Sequence, residues 1–199
     1  MKFANEFLKE ATKLKKEKKY LEAIKMLEKA YAIGTPGDAP PDDETWQNTI
    51  STEALLRKGM YLQLANKPKE GLQYLKDIRD KYIKKFEETQ DPYYLEPSIY
   101  LQIGRLLDKE KNYKEALKNR AFSFLLSSFL PYFNSMNMNI ENNEHKGRGN
   151  KKFIEGYFKK YFKKVDNFDS KGFCELMSKL HQFEKNTYNL NNILKLDKF

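Results

Sequence analysis

Apolar residues recur every three or four positions through most of the chain. Phe3, Phe7, Ala11 and Leu14 lead into a lysine-rich break, and the pattern resumes at Tyr20, Ala23, Ile24, Leu27, Ala30 and Tyr31. That spacing gathers apolar side chains on one face of a helix, so the segment predicts two amphipathic helices folded back as a hairpin. The same pattern is written twice more. Leu55, Gly59 and Leu62 precede an Asn66-Lys67-Pro68 break, and Gly71, Leu72, Leu75 and Ile78 follow it. Tyr100, Ile103, Gly104 and Leu107 precede Lys111-Asn112-Tyr113, and Ala116, Leu117 and Ala121 follow. Small residues at matching places in each unit let paired helices approach closely. No short stretch alternates apolar and polar residues as a half-buried strand does, so no sheet is expected.

The breaks carry the expected chemistry. Gly34-Thr35-Pro36-Gly37 stops a helix, and Pro40-Pro41-Asp42-Asp43 leads into a long one running from about Glu44 to Asn66. Pro68 suits a first helical turn, where its missing N–H costs nothing. Asp91-Pro92 predicts the start of a helix ending near Glu110. From Ala121 to Phe133 the helix is apolar nearly all round. The favoured reading is a core helix under the C-terminal segment, and the other is an exposed docking or oligomerisation surface. Asn134 to Asn150 lack periodicity and predict a flexible, asparagine-rich loop.

Beyond the loop, Phe153, Ile154, Tyr157, Phe158, Tyr161, Phe162 and Val165 fall on one helical stripe. Lys151, Lys152, Lys159, Lys160, Lys163 and Lys164 flank it. Such a helix serves as a cap on a helical stack, or lies on nucleic-acid phosphates, an anionic membrane or a partner's groove. Two shorter helices are expected over Ser170–Glu184 and Leu190–Leu196, the first with a core stripe of Phe173, Met177, Leu180 and Phe183. The chain therefore reads as a helical-hairpin domain over 1–133, a loop over 134–150 and a basic helical segment over 151–199 that packs on the hairpins.

The three units resemble tetratricopeptide repeats. Each has that family's small residue late in the first helix (Ala11, Gly59, Gly104), a polar turn, and a small residue in the second helix (Ala23, Gly71, Ala116). Tyr20 and Tyr113 match the aromatic that opens the second helix, and Pro68 stands there in the middle unit. The units recur after 48 and 45 residues, against about 34 in the family, so helices and connections are elongated. The resemblance implies an all-α right-handed solenoid of stacked antiparallel hairpins with C-terminal capping helices. It also implies a concave groove lined by each first helix, where a peptide or partner protein would lie. Groove positions would be Lys9, Thr12, Lys13, Leu56, Arg57, Met60, Gln63, Leu101, Gln102 and Arg105. Members that clamp a terminal carboxylate combine Lys, Arg and Asn; Lys9, Lys13, Arg57 and Arg105 supply no asparagine, so that partner type is not assigned.

Charge sharpens this picture only partly. The formal charge of +9 is uneven: nine lysines balance nine acids in residues 1–50, whereas residues 120–199 carry 14 basic and eight acidic residues. A basic groove favours an acidic peptide, and the basic helix with Lys159, Lys160, Lys163 and Lys164 makes nucleic acid the second partner class. Weak membrane-surface association is a third. No phosphate-cradling glycine loop, nucleophile elbow or zinc-binding histidine pair occurs. Cys174 is the single cysteine, and His145 and His181 have no ligand at metal spacing. The expectation is a non-enzymatic, cytoplasmic interaction scaffold without cofactor or metal. No transmembrane segment or secretory signal is expected, and homo-oligomerisation remains open.

Overall fold

A computed structural model of the chain describes residues 3–34, 44–89, 94–135, 149–183, 192 and 194–199. All regular structure among the described residues is helical, without a strand. In chain order the helices are α1 (Ala4–Lys16), α2 (Tyr20–Gly34), α3 (Glu44–Leu64), α4 (Pro68–Thr89), α5 (Pro97–Lys109), α6 (Tyr113–Ser135), α7 (Lys151–Phe162) and α8 (Ser170–Phe183). A short 3-10 turn follows at Leu194–Lys198. The chain divides into two compact units, Met1–Arg79 and Asp80–Phe199, with the boundary inside α4.

In the first unit α1 packs along α2, α2 along α3, and α1 touches α3. Leu8, Ala11, Ala23, Ile24, Leu27, Ala30, Ala54 and Tyr61 form its core. The spacing selects Ala11, Ala23, Ile24, Leu27 and Ala30 among them, whereas Phe3 is exposed and α3 buries Ala54 and Tyr61 more deeply than the expected Leu55 and Leu62. Between α3 and α4 the helices meet at their glycines. A Cβ placed on Gly71 would lie 2.5 Å from the Gly59 carbonyl oxygen, and one on Gly59 would lie 2.5 Å from Leu75 Cγ. Only hydrogen fits at either position.

The α1/α2, α3/α4 and α5/α6 connections are one turn written three times. Lys18, Asn66 and Lys111 each take a left-handed conformation, with φ of 62°, 63° and 61°. The residue after each donates its N–H five residues back: Lys19 to Leu14 O at 2.9 Å, Lys67 to Leu62 O at 2.9 Å, and Asn112 to Leu107 O at 3.0 Å. That same residue's carbonyl then accepts the N–H of Ala23, Gly71 or Ala116. This double closure satisfies carbonyls a helix end leaves orphaned, and reverses the chain in the same way each time.

In the second unit α5 packs on α6, whose buried face includes Ala116, Leu117, Ala121, Leu125 and Leu126. α6 also meets α7, α8 and the 3-10 turn, so the expected core role of Ala121–Leu126 holds. The helix expected from Asp91-Pro92 instead starts at Pro97. Glu96 caps it by accepting the Ser98 N–H at 2.8 Å, and Pro97 occupies the first helical turn. A proline inside a helix loses a backbone hydrogen bond and clashes with the preceding turn, so Pro97 had to mark the start. α7 likewise ends at Phe162, short of Val165. The chain then turns through Asn167, a fourth left-handed residue with φ 52°. Asp169 Oδ1 accepts the Gly172 N–H at 2.9 Å to cap α8. The helix expected over Leu190–Leu196 is replaced, where described, by the 3-10 turn. Most of the expected loop, 136–148 with His145, lies outside the described residues.

Candidate binding surfaces

The first unit holds seven of the expected groove positions: Lys9, Thr12 and Lys13 on α1, and Leu56, Arg57, Met60 and Gln63 on α3. The other three, Leu101, Gln102 and Arg105, sit on α5 in the second unit. Lys9 and Lys13 are exposed, and among the described residues neither enters an ion pair. Arg57 is committed. Its Nη1 donates to Thr12 Oγ1 at 2.8 Å, its Nη2 pairs with Glu53 Oε1, and Thr12 Oγ1 donates to Leu8 O at 2.9 Å. Arg57 and Thr12 thus tie α3 to α1. Met60 packs partly buried against the core.

On α5, Arg105 is exposed with a long 3.4 Å contact to Gln102 Oε1. Gln102 is 9% exposed, so the structure corrects its assignment as a groove-surface residue. It lies one position from Ile103 on the side of α5 that faces inward, and helical spacing alone does not fix that edge.

The basic aromatic helix is positioned by its buried half. Ile154, Phe158 and Tyr161 are fully enclosed. The Phe158 ring meets Phe124 of α6 at 5.9 Å and Phe173 of α8 at 5.6 Å, both edge-on, the arrangement that aligns a ring's positive edge with its neighbour's face. Asn150 caps the helix by accepting the Lys152 N–H at 2.9 Å. The buried Ser178 hydroxyl donates to Gly149 O at 2.8 Å, and a Cβ on Gly149 would collide with the His181 ring, which is buried beside it. Gly149 thus lets the entry to α7 sit directly on α8.

At the other end of α7 a polar cluster holds it to the α5/α6 hairpin. Tyr161 Oη donates to Asp108 Oδ2 at 3.2 Å, and the Arg120 guanidinium lies 5.2 Å from the Tyr161 ring centroid. Arg120 and Lys164 each approach Asp108 at 3.8 Å, and Lys164 Nζ lies 4.3 Å from the Tyr113 ring centroid. Burial pushes the Tyr161 phenol up to about 12; Arg120 opposes that rise and the Asp108 charge reinforces it. Burial also pushes the Cys174 thiol up to about 11, which suits a packed residue and not a thiolate nucleophile.

The four lysines expected to form one basic surface therefore divide. Lys164 is drawn to Asp108 and Tyr113, and Lys160 lies 4.9 Å from the Tyr161 ring centroid. Lys159 and Lys163 are exposed, and among the described residues neither makes an ion pair. Phe153 and Tyr157 remain 43% and 49% exposed, their near-parallel rings 6.4 Å apart and both resting on Phe124.

Comparison with protein-family models, with curated proteins and with solved structures finds no match. Among the described residues no group of three or more His, Cys, Asp or Glu is placed to hold a metal ion, and no helix is long and apolar enough to cross a membrane. Sequence reasoning missed Asp108, Arg120 and Tyr161 as a cluster. They are 12 and 41 residues apart along the chain, and only packing brings them together.

Proposed function

We propose that the protein is a non-catalytic adaptor of the tetratricopeptide type. In this reading its hairpins stack as a right-handed solenoid, α7 and α8 cap the stack, and the first helices of the hairpins hold a segment of another protein. The observation that carries the reading is the turn repeated at Lys18, Asn66 and Lys111, with small residues in matching register on either side. The same turn with small residues at matching positions supports equivalent successive hairpins, and equivalence is what a repeat stack requires. Within the first unit the binding face is that of α1 and α3. Lys9 and Lys13 supply positive charge for an acidic peptide, and Leu56 supplies apolar contact.

Capture from native lysate with the full chain as bait, with and without nuclease, tests this. Lys9→Glu/Lys13→Glu is the matched control because both side chains are exposed. Arg57 is unsuitable, since reversing it would also break its contacts to Thr12 and Glu53. Proteins that survive nuclease and are lost with the double reversal support the adaptor. Capture that is unchanged by the reversal, or abolished by nuclease, sinks it.

A further inference from the structure

α7 carries two neighbouring exposed stripes. Phe153, Tyr157 and Lys160 follow one another at four and three residues, and Lys152, Gly156, Lys159 and Lys163 follow at four, three and four. Residues so spaced are neighbours on a helix surface. Neither stripe contains an acid; Glu155, the one acid of the helix, borders the lysine stripe at three residues from Lys152 and four from Lys159, and among the described residues it forms no ion pair with either. Among the described residues Lys152, Lys159 and Lys163 form no ion pair.

Three features of this face run against what stability favours. Lys152 sits in the first turn of α7 without an acid there, where the helix dipole disfavours positive charge. Lys159 and Lys163 face each other at a like-charged four-residue spacing. Gly156 occupies a helix interior, where glycine costs about 1 kcal/mol relative to alanine. Gly59, Gly71 and Gly104 are explained by helices pressed against them, but nothing lies within 4 Å of a Cβ at Gly156. Local choices that oppose stability without a structural gain mark functional surface, and an uncovered glycine lets a ligand reach the backbone.

We propose that this face binds single-stranded nucleic acid, its bases stacking on Phe153 and Tyr157 and its phosphates meeting Lys152, Lys159 and Lys163 across the opening at Gly156. The rings are rigidly backed by Phe124 and half exposed, so they present faces to a base and do not project as anchors into lipid. The apolar side that a membrane-surface helix would turn to acyl chains is already buried at Ile154, Phe158 and Tyr161. Bases of a duplex are stacked on one another and are closed to such rings, whereas those of a single strand are open. This proposal uses none of the residues of the α1/α3 face and stands whether or not the adaptor reading does.

The test is fluorescence anisotropy of the full chain with a labelled oligouridylate of about 12 nucleotides, a length within the usual site size. A matched duplex and phosphatidylserine-containing vesicles serve as comparisons. Wild type binds the single strand more tightly than the duplex, and neutralising three phosphates weakens binding about 20-fold between about 50 and 200 mM salt. Lys152→Gln/Lys159→Gln/Lys163→Gln removes most of that salt dependence. Phe153→Leu/Tyr157→Leu keeps apolar cover over Phe124 but removes the stacking faces, and lowers affinity about tenfold or more. Gly156→Leu fills open space and lowers affinity without unfolding the helix, as circular dichroism confirms. The proposal is overturned if the oligonucleotide does not bind at low salt, if the lysine and ring variants bind as wild type does, or if only vesicles are bound.

Discussion

α6 presses close on α5 at Gly104, where an added Cβ would stand 3.0 Å from Arg120 Cγ and 3.2 Å from the Ala116 carbonyl oxygen. Between α7 and α8 the contact is instead made by rings, Phe158 and Phe162 meeting Phe173 edge-on at 5.6 and 5.8 Å. Phe168 and Phe199 close around the same Phe173 ring. The first interface combines a close approach at a glycine with a single stacked ring pair, Tyr100 on Phe122 at 5.5 Å, and the second is built from a cluster of rings. A backbone-to-backbone contact fixes helix register through small residues that can recur in every hairpin. A ring cluster fixes one particular arrangement and is not repeated. The hairpins are therefore legible as a series, and the C-terminal segment is legible only as a core.

The comparison predicts different responses to substitution. The largest is at the rings: Phe158→Ala empties a fully enclosed site and should cost about 3–5 kcal/mol in urea denaturation followed by circular dichroism. A cost below about 1 kcal/mol would mean that the cluster is loosely packed. Next come the glycines. Gly71→Ala drives a methyl against the Gly59 carbonyl, which is backbone and cannot rotate away, and should cost about 1–3 kcal/mol. Gly156→Ala should instead stabilise by about 0.5–1 kcal/mol, because it meets nothing and restricts the unfolded chain. Equal signs at the two positions would erase the distinction between packed and open glycines.

A smaller effect sharpens the equivalence of the turns. Lys18→Gly and Lys111→Gly should each raise stability by up to about 1 kcal/mol, since glycine takes the left-handed conformation without a Cβ penalty. Asn66 already tolerates it better than lysine, so Asn66→Gly should gain less. The last effect is confined to alkali. Tyr161 and Cys174 are both held neutral by burial, with values raised to about 12 and about 11. An acid whose value is raised on folding contributes fully below its unfolded value and loses that contribution as pH climbs toward the folded one. Stability should therefore fall between about pH 9 and 12, and Tyr161→Phe should flatten the upper part of that fall, read as the thermal midpoint against pH.

Much of the helical arrangement follows from one-dimensional rules. Apolar residues at three- and four-residue spacing selected the faces buried at Ala11, Ala23, Leu27, Ile103 and Leu117, because a helix has no other way to gather them. The small residues at Gly59, Gly71, Gly104 and Ala116 mark close approaches, and those at Ala11 and Ala23 are fully buried. Even the missed start of α5 was written in the chain, at Pro97. The binding surfaces were far less legible. Lys159, Lys160, Lys163 and Lys164 look alike in sequence, and only the fold separates the pair drawn to rings or to Asp108 from the pair facing solvent.

Local chemistry thus determined the helices, their caps, the three turns and the stripes they bury, since each depends on residues within about one or two helical turns of one another. Tertiary packing alone decided that Arg57 is spent on Thr12 and Glu53, that Gln102 turns inward, that Asp108 gathers Arg120, Tyr161 and Lys164, and that Gly156 stands open where Gly59, Gly71 and Gly104 are covered. Those outcomes depend on which distant side chain arrives opposite each position, and spacing along a single helix carries no record of that.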